Sequence, residues 1–316
     1  EAGSAEGVSC RVGMATAAAL FAVGEAGRHL RVSVPLEKGS GVGRVPCPWP
    51  EALGGSVAAR LPEPLFQRLF EAAVRSLVLH SPGGEVYPGP YTYKRFWFRD
   101  ASFILHALLC LGLEGRVERV LDTFPERQRS SGFFHSQEGE WDSNGEALWI
   151  LERFCRLTGR PPKPAWSRAI DKGARWIGRK RLPAGGEPRT AGLLPAGFSA
   201  EHLGPNDYYY WDDFWGVAGL RAGANLLEGL GAGERAAALR GEADRFAADL
   251  AASLARVAAR LGRPGMPASP YRRLDCGAVG SLAAGYPLQL FAPEDPRLLD
   301  TMAFLLERAM VNGGFF

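Results

Sequence analysis

From residue 62 onward, hydrophobic positions recur with the 3.6-residue period of α-helices, and the helical segments come in two alternating kinds. The first kind is amphipathic. Residues 62–80 place Leu65, Phe66, Leu69, Phe70, Ala73, Val74 and Leu77 on one face. Residues 115–128 do so through Val117, Val120, Leu121 and Phe124, and residues 165–182 through Trp166, Ala169, Ile170, Gly173 and Ile177. Residues 233–261 and 296–310 complete this set. The second kind is apolar nearly all round, which predicts burial on every side: residues 100–111, 142–157, 211–230 and 275–290. Alternation of outer and inner helices, beginning with an outer one, predicts an all-α toroid of helical hairpins with nine helices in this chain. The spacing is too irregular for a repeat of fixed period.

Residues 1–55 are patterned differently. Short strand-like runs at 8–12, 18–23 and 30–34 are separated by Gly-rich turns. Three such strands are too few for a sheet with its own core. They are expected to be the β-rich tail of an N-terminal domain, with the Gly- and Pro-rich stretch 39–50 as linker. The helical domain is then expected to span 56–316.

The inner helices share a second regularity, because each opens on acid: Arg99-Asp100, Trp141-Asp142, Trp211-Asp212-Asp213 and Asp275. In an alternating toroid the inner helices run the same way, so these starts converge on one mouth. An Asp at a helix start is ordinarily an N-cap, and that reading suits Asp275. It suits less well the starts that lie beside Trp97, Trp141 and Trp211. Carboxylates and indole faces together point to a carbohydrate site.

The stretch Asp207-Tyr208-Tyr209-Tyr210-Trp211-Asp212-Asp213-Phe214-Trp215 concentrates both features. Adjacent carboxylates in apolar surroundings cannot both ionise cheaply, so one pKa should rise. An acid kept protonated near neutral pH can donate to a leaving group. The alternative is a plain helix start with two acids favoured by the helix dipole.

Composition narrows the partners. A net charge of +3 gives no support for nucleic acid or a membrane surface as partner. The longest apolar run, 14–23, is too short to cross a bilayer, and no basic leader precedes it. The five cysteines (Cys10, Cys47, Cys110, Cys155, Cys276) are scattered without metal or disulfide spacing, which implies no metal and buried free thiols in a reducing, cytoplasmic setting. Cys110 and Cys155 are expected in the core, and His106, inside an apolar helix, is expected to be a satisfied core histidine. No pattern calls for a cofactor.

The ordered set of motifs resembles the inverting glycosidases built on a six-hairpin α/α barrel, the glucoamylase-like group with related glucosidases and glycogen-debranching enzymes. Trp97-Phe98-Arg99-Asp100 looks like their Trp-x-Arg-Asp signature. The segment Trp141-Asp142-Ser143-Asn144-Gly145-Glu146-Ala147-Leu148 is similar to the lead-in of their second inner helix. Trp211-Asp212-Asp213 is similar to the Trp-acid-acid motif of the third, with Asp in place of Glu.

The resemblance covers residues 62–316 and implies hydrolysis of α-linked glucosides or oligosaccharides with inversion. It implies that Arg99 and Asp100 hold sugar hydroxyls, and that Asp212 is the general acid with Asp213 as orienting or charge-tuning partner. Trp97, Trp141 and Trp211, with Tyr210 beside them, would shape the subsite. Asp142 and Glu146, four apart on one helical face, would form a polar wall, and the loop 191–206 a rim that brings Glu201 and His202 to the aglycone. Such a barrel has twelve helices and takes its catalytic base from the last of them. The expectation is therefore a C-terminally incomplete barrel whose base lies beyond Phe316. Three other readings stay open: a sugar epimerase or isomerase, which needs paired histidines where only His106 is offered; a terpene-cyclase-like toroid, against which the Arg-Asp pair argues; and a non-catalytic carbohydrate-binding toroid.

Overall fold

A computed structural model describes residues 47–198 and 205–315. The strand-like runs of the first 34 residues and the positions Glu201 and His202 lie outside the described residues. The fold is all-α. After a single turn α1 (Trp49–Ala52) come α2 (Pro64–Leu79), α3 (Phe98–Cys110), α4 (Glu114–Leu121), α5 (Phe124–Arg127), α6 (Ser143–Thr158), α7 (Ser167–Lys180), α8 (Tyr210–Gly229), α9 (Gly233–Leu261) and α10 (Pro296–Arg308). A small hairpin, β1 (Met310–Val311) and β2 (Gly314–Phe315), follows.

The alternation of outer and inner helices holds. Helices α3, α6 and α8 pack side by side as successive inner helices, and α2, α4, α7 and α9 pack outside them. Two elements depart from the expected pattern. The helix expected over 115–128 breaks into α4 and α5 at Asp122-Thr123, where Pro125 in the first turn of α5 has no amide hydrogen to continue the ladder. The fourth inner segment is not an α-helix but a 3-10 helix, Cys276–Ala284. Gly277, Gly280 and Gly285 lower its helical preference, and Pro287 stops its continuation.

The inner helices meet at unusually close range. A Cβ on Gly145 of α6 would stand 2.2 Å from the Trp215 carbonyl oxygen of α8, and one on Gly219 would stand 2.5 Å from the Gly145 Cα. Only glycines permit that crossing. Next to it, the fully buried Asn144 accepts from the Phe134 amide at 2.9 Å and donates to the carbonyls of Gly132 and Gly173, each at 2.9 Å. The same side chain thus ties α6 to the preceding loop and to α7. Around this centre lie Phe98, Phe134, Phe154, Trp166, Phe214, Trp215 and Phe246, all fully buried. Each contributes ~1.5–3 kcal/mol in transfer terms.

The apolar stripe expected on α2 is buried only in its second half. Val74 and Val78 are in the core, whereas Leu65, Phe66 and Leu69 are exposed. Cys110 is exposed at the end of α3 and Cys47 is exposed too, so the expected core role applies to neither; Cys155 is half-buried. Among the described residues no helix is long and apolar enough to cross a membrane.

Candidate active site

The site is built from the entrance to α3 upward. The Phe98 amide, one of the donors left over at a helix start, is taken by the Ser136 hydroxyl at 2.8 Å, which fixes α3 against the loop leading into α6. That register puts Arg99 among the acids of the loop and of α6. Its Nε donates to Asp142 Oδ2 at 2.7 Å, and its guanidinium is 3.5 Å from Glu140 and 4.0 Å from Glu146. Two indoles join the same acceptors: Trp97 Nε1 donates to Glu140 Oε2 at 2.7 Å, and Trp211 Nε1 to Asp142 Oδ2 at 2.8 Å. One cation thus serves three carboxylates, and a Trp from each of two inner helices completes the network.

These acids do not act as helix caps. Neither α3, α6 nor α8 has a side-chain cap hydrogen bond, although Asp142 occupies the N-cap position of α6. Asp275, by contrast, accepts from the Gly277 amide and pairs with Arg272 at 2.8 Å, so its carboxylate is committed to capping the 3-10 helix. The four expected starts therefore separate into one cap and three that face one another.

Burial makes the cluster electrostatically unusual. Glu140, Asp142, Glu146 and Asp212 are each no more than 3% exposed. Burial, and then the charge of Asp142, push the Glu146 carboxyl well above the usual carboxylate range, with Arg99 pulling the other way. The Asp212 carboxyl is likewise held well above its ordinary value by burial, by Asp142 and by Asp213. Both Glu146 oxygens and Asp212 Oδ2 are buried without a hydrogen-bond partner. Asp213 is also raised by burial but has a different employment, because its Oδ1 accepts from the Leu194 amide at 2.8 Å. It fastens the loop before α8.

A cavity of about 460 Å³ opens beside Arg99, lined by Trp97, Arg99, Asp100, Glu140, Tyr93 and Phe198 among others. Of the residues expected at the site, Trp97, Arg99 and Asp100 reach its wall. Asp142, Glu146, Asp212 and Trp211 form the network behind it. Tyr210 does not belong: it is fully buried and its hydroxyl meets Ser253 of α9 at 2.8 Å, on the outer side of the inner ring. A step of about 100° per residue separates it from Trp211. Trp141 is also turned away, donating to the Ala196 carbonyl at 3.3 Å under the Lys180 ammonium, so it holds the loop rather than the cavity. His106 is buried against Trp149 but its Nδ1 has no partner, and burial lowers its pKa, so it is a neutral core histidine and not a satisfied one.

Glu140, which lines the cavity, was not expected. Its only local signal is position, two residues before Asp142 and next to Trp141. Among the described residues no group of three or more His, Cys, Asp and Glu side chains is arranged to hold a metal ion.

No protein-family model matches this chain, and no curated protein is significantly similar to it. Solved glycosidase structures do share its fold. A wild-type glycosidase is similar with a TM-score of 0.59 at 16% identity, over 81% of this chain and 74% of that one. A glycosidase carrying a glutamate-to-alanine substitution gives 0.61 at 16% identity over the same shares. A second glutamate-to-alanine glycosidase, in complex with glucose, gives 0.59 at 16% identity, again over 81% and 74%. At this identity the likeness establishes the shared fold.

Proposed function

We propose that this protein is a glycoside hydrolase that takes the terminal sugar of an α-linked glucoside in the cavity beside Arg99, and cleaves it with inversion. The observation that carries the proposal is the buried row of Arg99 with Glu140, Asp142 and Glu146, bounded by Trp97 and Trp211 and opening into a 460 Å³ cavity. That volume lies within the range of small-molecule sites. Asp100 and Glu140 offer acceptors to sugar hydroxyls, Arg99 offers donors, and the Trp97 indole, which carries the Arg95 guanidinium at 3.8 Å, adds apolar wall. The glycosidase fold of the structural neighbours, one of them in complex with glucose, supports this reading.

Asp212 is the proposed general acid. Its raised pKa favours the protonated carboxyl, the state a donor requires. It is not on the cavity wall, so the proton must reach the glycosidic oxygen past Arg99 and Asp142 or through a relaying water. Inversion also needs a second carboxylate about 6.5–9.5 Å from the acid to activate water.

One observation favours a second reading, binding without hydrolysis: the carboxylates on the wall are Asp100 and Glu140, while the acids with raised pKa are enclosed. Turnover of α-glucosides by the full-length protein, with the product anomer followed by NMR, decides between them. Hydrolysis to the β-anomer that is lost in Asp212→Asn and largely kept in Asp213→Asn supports the assignment. A product that keeps the α configuration overturns inversion, and saturable sugar binding with no turnover favours the second reading.

A further inference from the structure

The C-terminal halves of α6 and α8 carry a second cluster of opposite sign. Arg153 and Arg156 of α6, Arg221 and Asn225 of α8, and Gln289 of the segment after the 3-10 helix surround a cavity of about 200 Å³. It is distant from the carboxylates: Arg153 is seven residues beyond Glu146 and Arg221 nine beyond Asp212, about 10 and 14 Å along the helix axes.

Arginines elsewhere in the molecule commonly meet carboxylates, as Arg99, Arg160, Arg181, Arg263 and Arg297 do. Arg153, Arg156 and Arg221 form no ion pair among the described residues, and the single acid on the cavity wall, Glu152, pairs with none of them. Three guanidiniums against one carboxylate leave a net charge of +2 on the lining. The Arg153 guanidinium reaches over the Trp149 ring at 5.7 Å, and its Nε is buried without an acceptor. A buried charged donor left open is costly, which marks it as a place where an acceptor is missing.

Gln289 supplies an independent sign. Its φ of 53° lies in the left-handed region, where a non-glycine residue is held at a cost of order 1–3 kcal/mol and such residues cluster at ligand sites. The favourable field of a helix C-terminus on a cation accounts for Arg156, in the last turn of α6, but that field fades within a turn. Arg221 stands eight residues before the end of α8, beyond its reach.

We propose that this cavity is an anion site that receives a phosphate group. Guanidiniums suit it because their planar forks give paired, charge-assisted hydrogen bonds to phosphate oxygens. The space is enough for a phosphate with part of its hydration. The Asn225 and Gln289 amides add neutral donors on two sides.

Calorimetric titration of the full-length protein with inorganic phosphate, and in parallel with methyl phosphate, tests the assignment. The expected result is saturable one-to-one binding. Arg221→Gln, at an exposed position that folding tolerates, should weaken it at least tenfold. Arg153→Gln/Arg221→Gln should abolish it, and Arg168→Gln on α7 should leave it unchanged. Tighter binding of methyl phosphate identifies the phosphoryl group of an ester as ligand, and equal or weaker binding identifies free phosphate. No saturable heat from either ligand, or an affinity unaltered by Arg221→Gln, would overturn the proposal.

Discussion

Replacing Arg99 by Met tests whether one guanidinium holds the carboxylate row together. The side chain is 11% exposed, and the acids it serves are almost wholly enclosed: Asp142 at 2.7 Å, Glu140 at 3.5 Å and Glu146 at 4.0 Å. Met keeps most of the aliphatic volume, so the loss is chiefly electrostatic. Removing one partner of a buried ion pair costs about 3–5 kcal/mol, because the remaining charge has neither water nor counter-ion. The cost should depend on pH with a defined sign. Glu146 and Asp212 already have raised folded-state pKa values, so the native state binds more protons than the unfolded chain above the ordinary carboxylate pKa. Their stabilising contribution is complete below about pH 4 and is lost as pH rises through the folded-state values. Arg99 pulls both values down, so its removal raises them further and enlarges that loss. Urea unfolding of both forms should show a penalty of ~3–5 kcal/mol at neutral pH that shrinks towards pH 5. A penalty under ~1 kcal/mol, the same at both pH values, would mean that the row is solvated and that Arg99 does not organise it.

Gly145→Ala places a methyl 2.2 Å from the Trp215 carbonyl, and Gly219 leaves no room for it to move aside. Forced separation of α6 and α8 should cost at least ~1–3 kcal/mol, read as a lowered urea midpoint, and a neutral effect would show that the helices do not approach so closely. Trp97→Phe keeps an aromatic face on the cavity but removes the donor to Glu140 at 2.7 Å. The lost charge-assisted bond to a buried carboxylate should lower stability by roughly 1.5–3 kcal/mol in urea unfolding, and an unchanged midpoint would show that Trp97 does not hold Glu140 in place.

What could be read from the chain was periodicity, and it was read best where long helices repeat it many times. The α9 stripe through Leu239, Phe246, Leu250 and Val257 is in the core as its spacing requires. The segment 276–284 is a 3-10 helix where its pattern predicts an α-helix, because apolar residues interleaved with Gly277 and Gly280 fit any buried element and periodicity alone does not distinguish the two. At the site, the Arg99-Asp100 pair was legible because its chemistry is local. Glu140 was not, since its meaning comes from Trp97, 43 residues away, and Arg99, 41 away. The direction of an aromatic at a helix start was equally hidden. Tyr210 and Trp211 are neighbours in sequence, yet one serves α9 and the other Asp142.

The row of acids around Arg99 also works as a charge filter. With Asp100 and Glu140 on the wall beside the Arg99 guanidinium and further acids behind it, an anionic sugar entering the cavity would meet like charge in a poorly solvated place, whereas a neutral hexose meets hydrogen-bond donors and acceptors without that repulsion. We therefore expect glucose to compete for the site and glucuronate, of nearly the same shape, to be refused, with the gap narrowing as salt screens the mouth. Equal competition by the two would show that the acids are too well neutralised to sort visitors by charge. As built, the inner helices carry carboxylates at one end and guanidiniums at the other, so the helical unit is polarised along their axes.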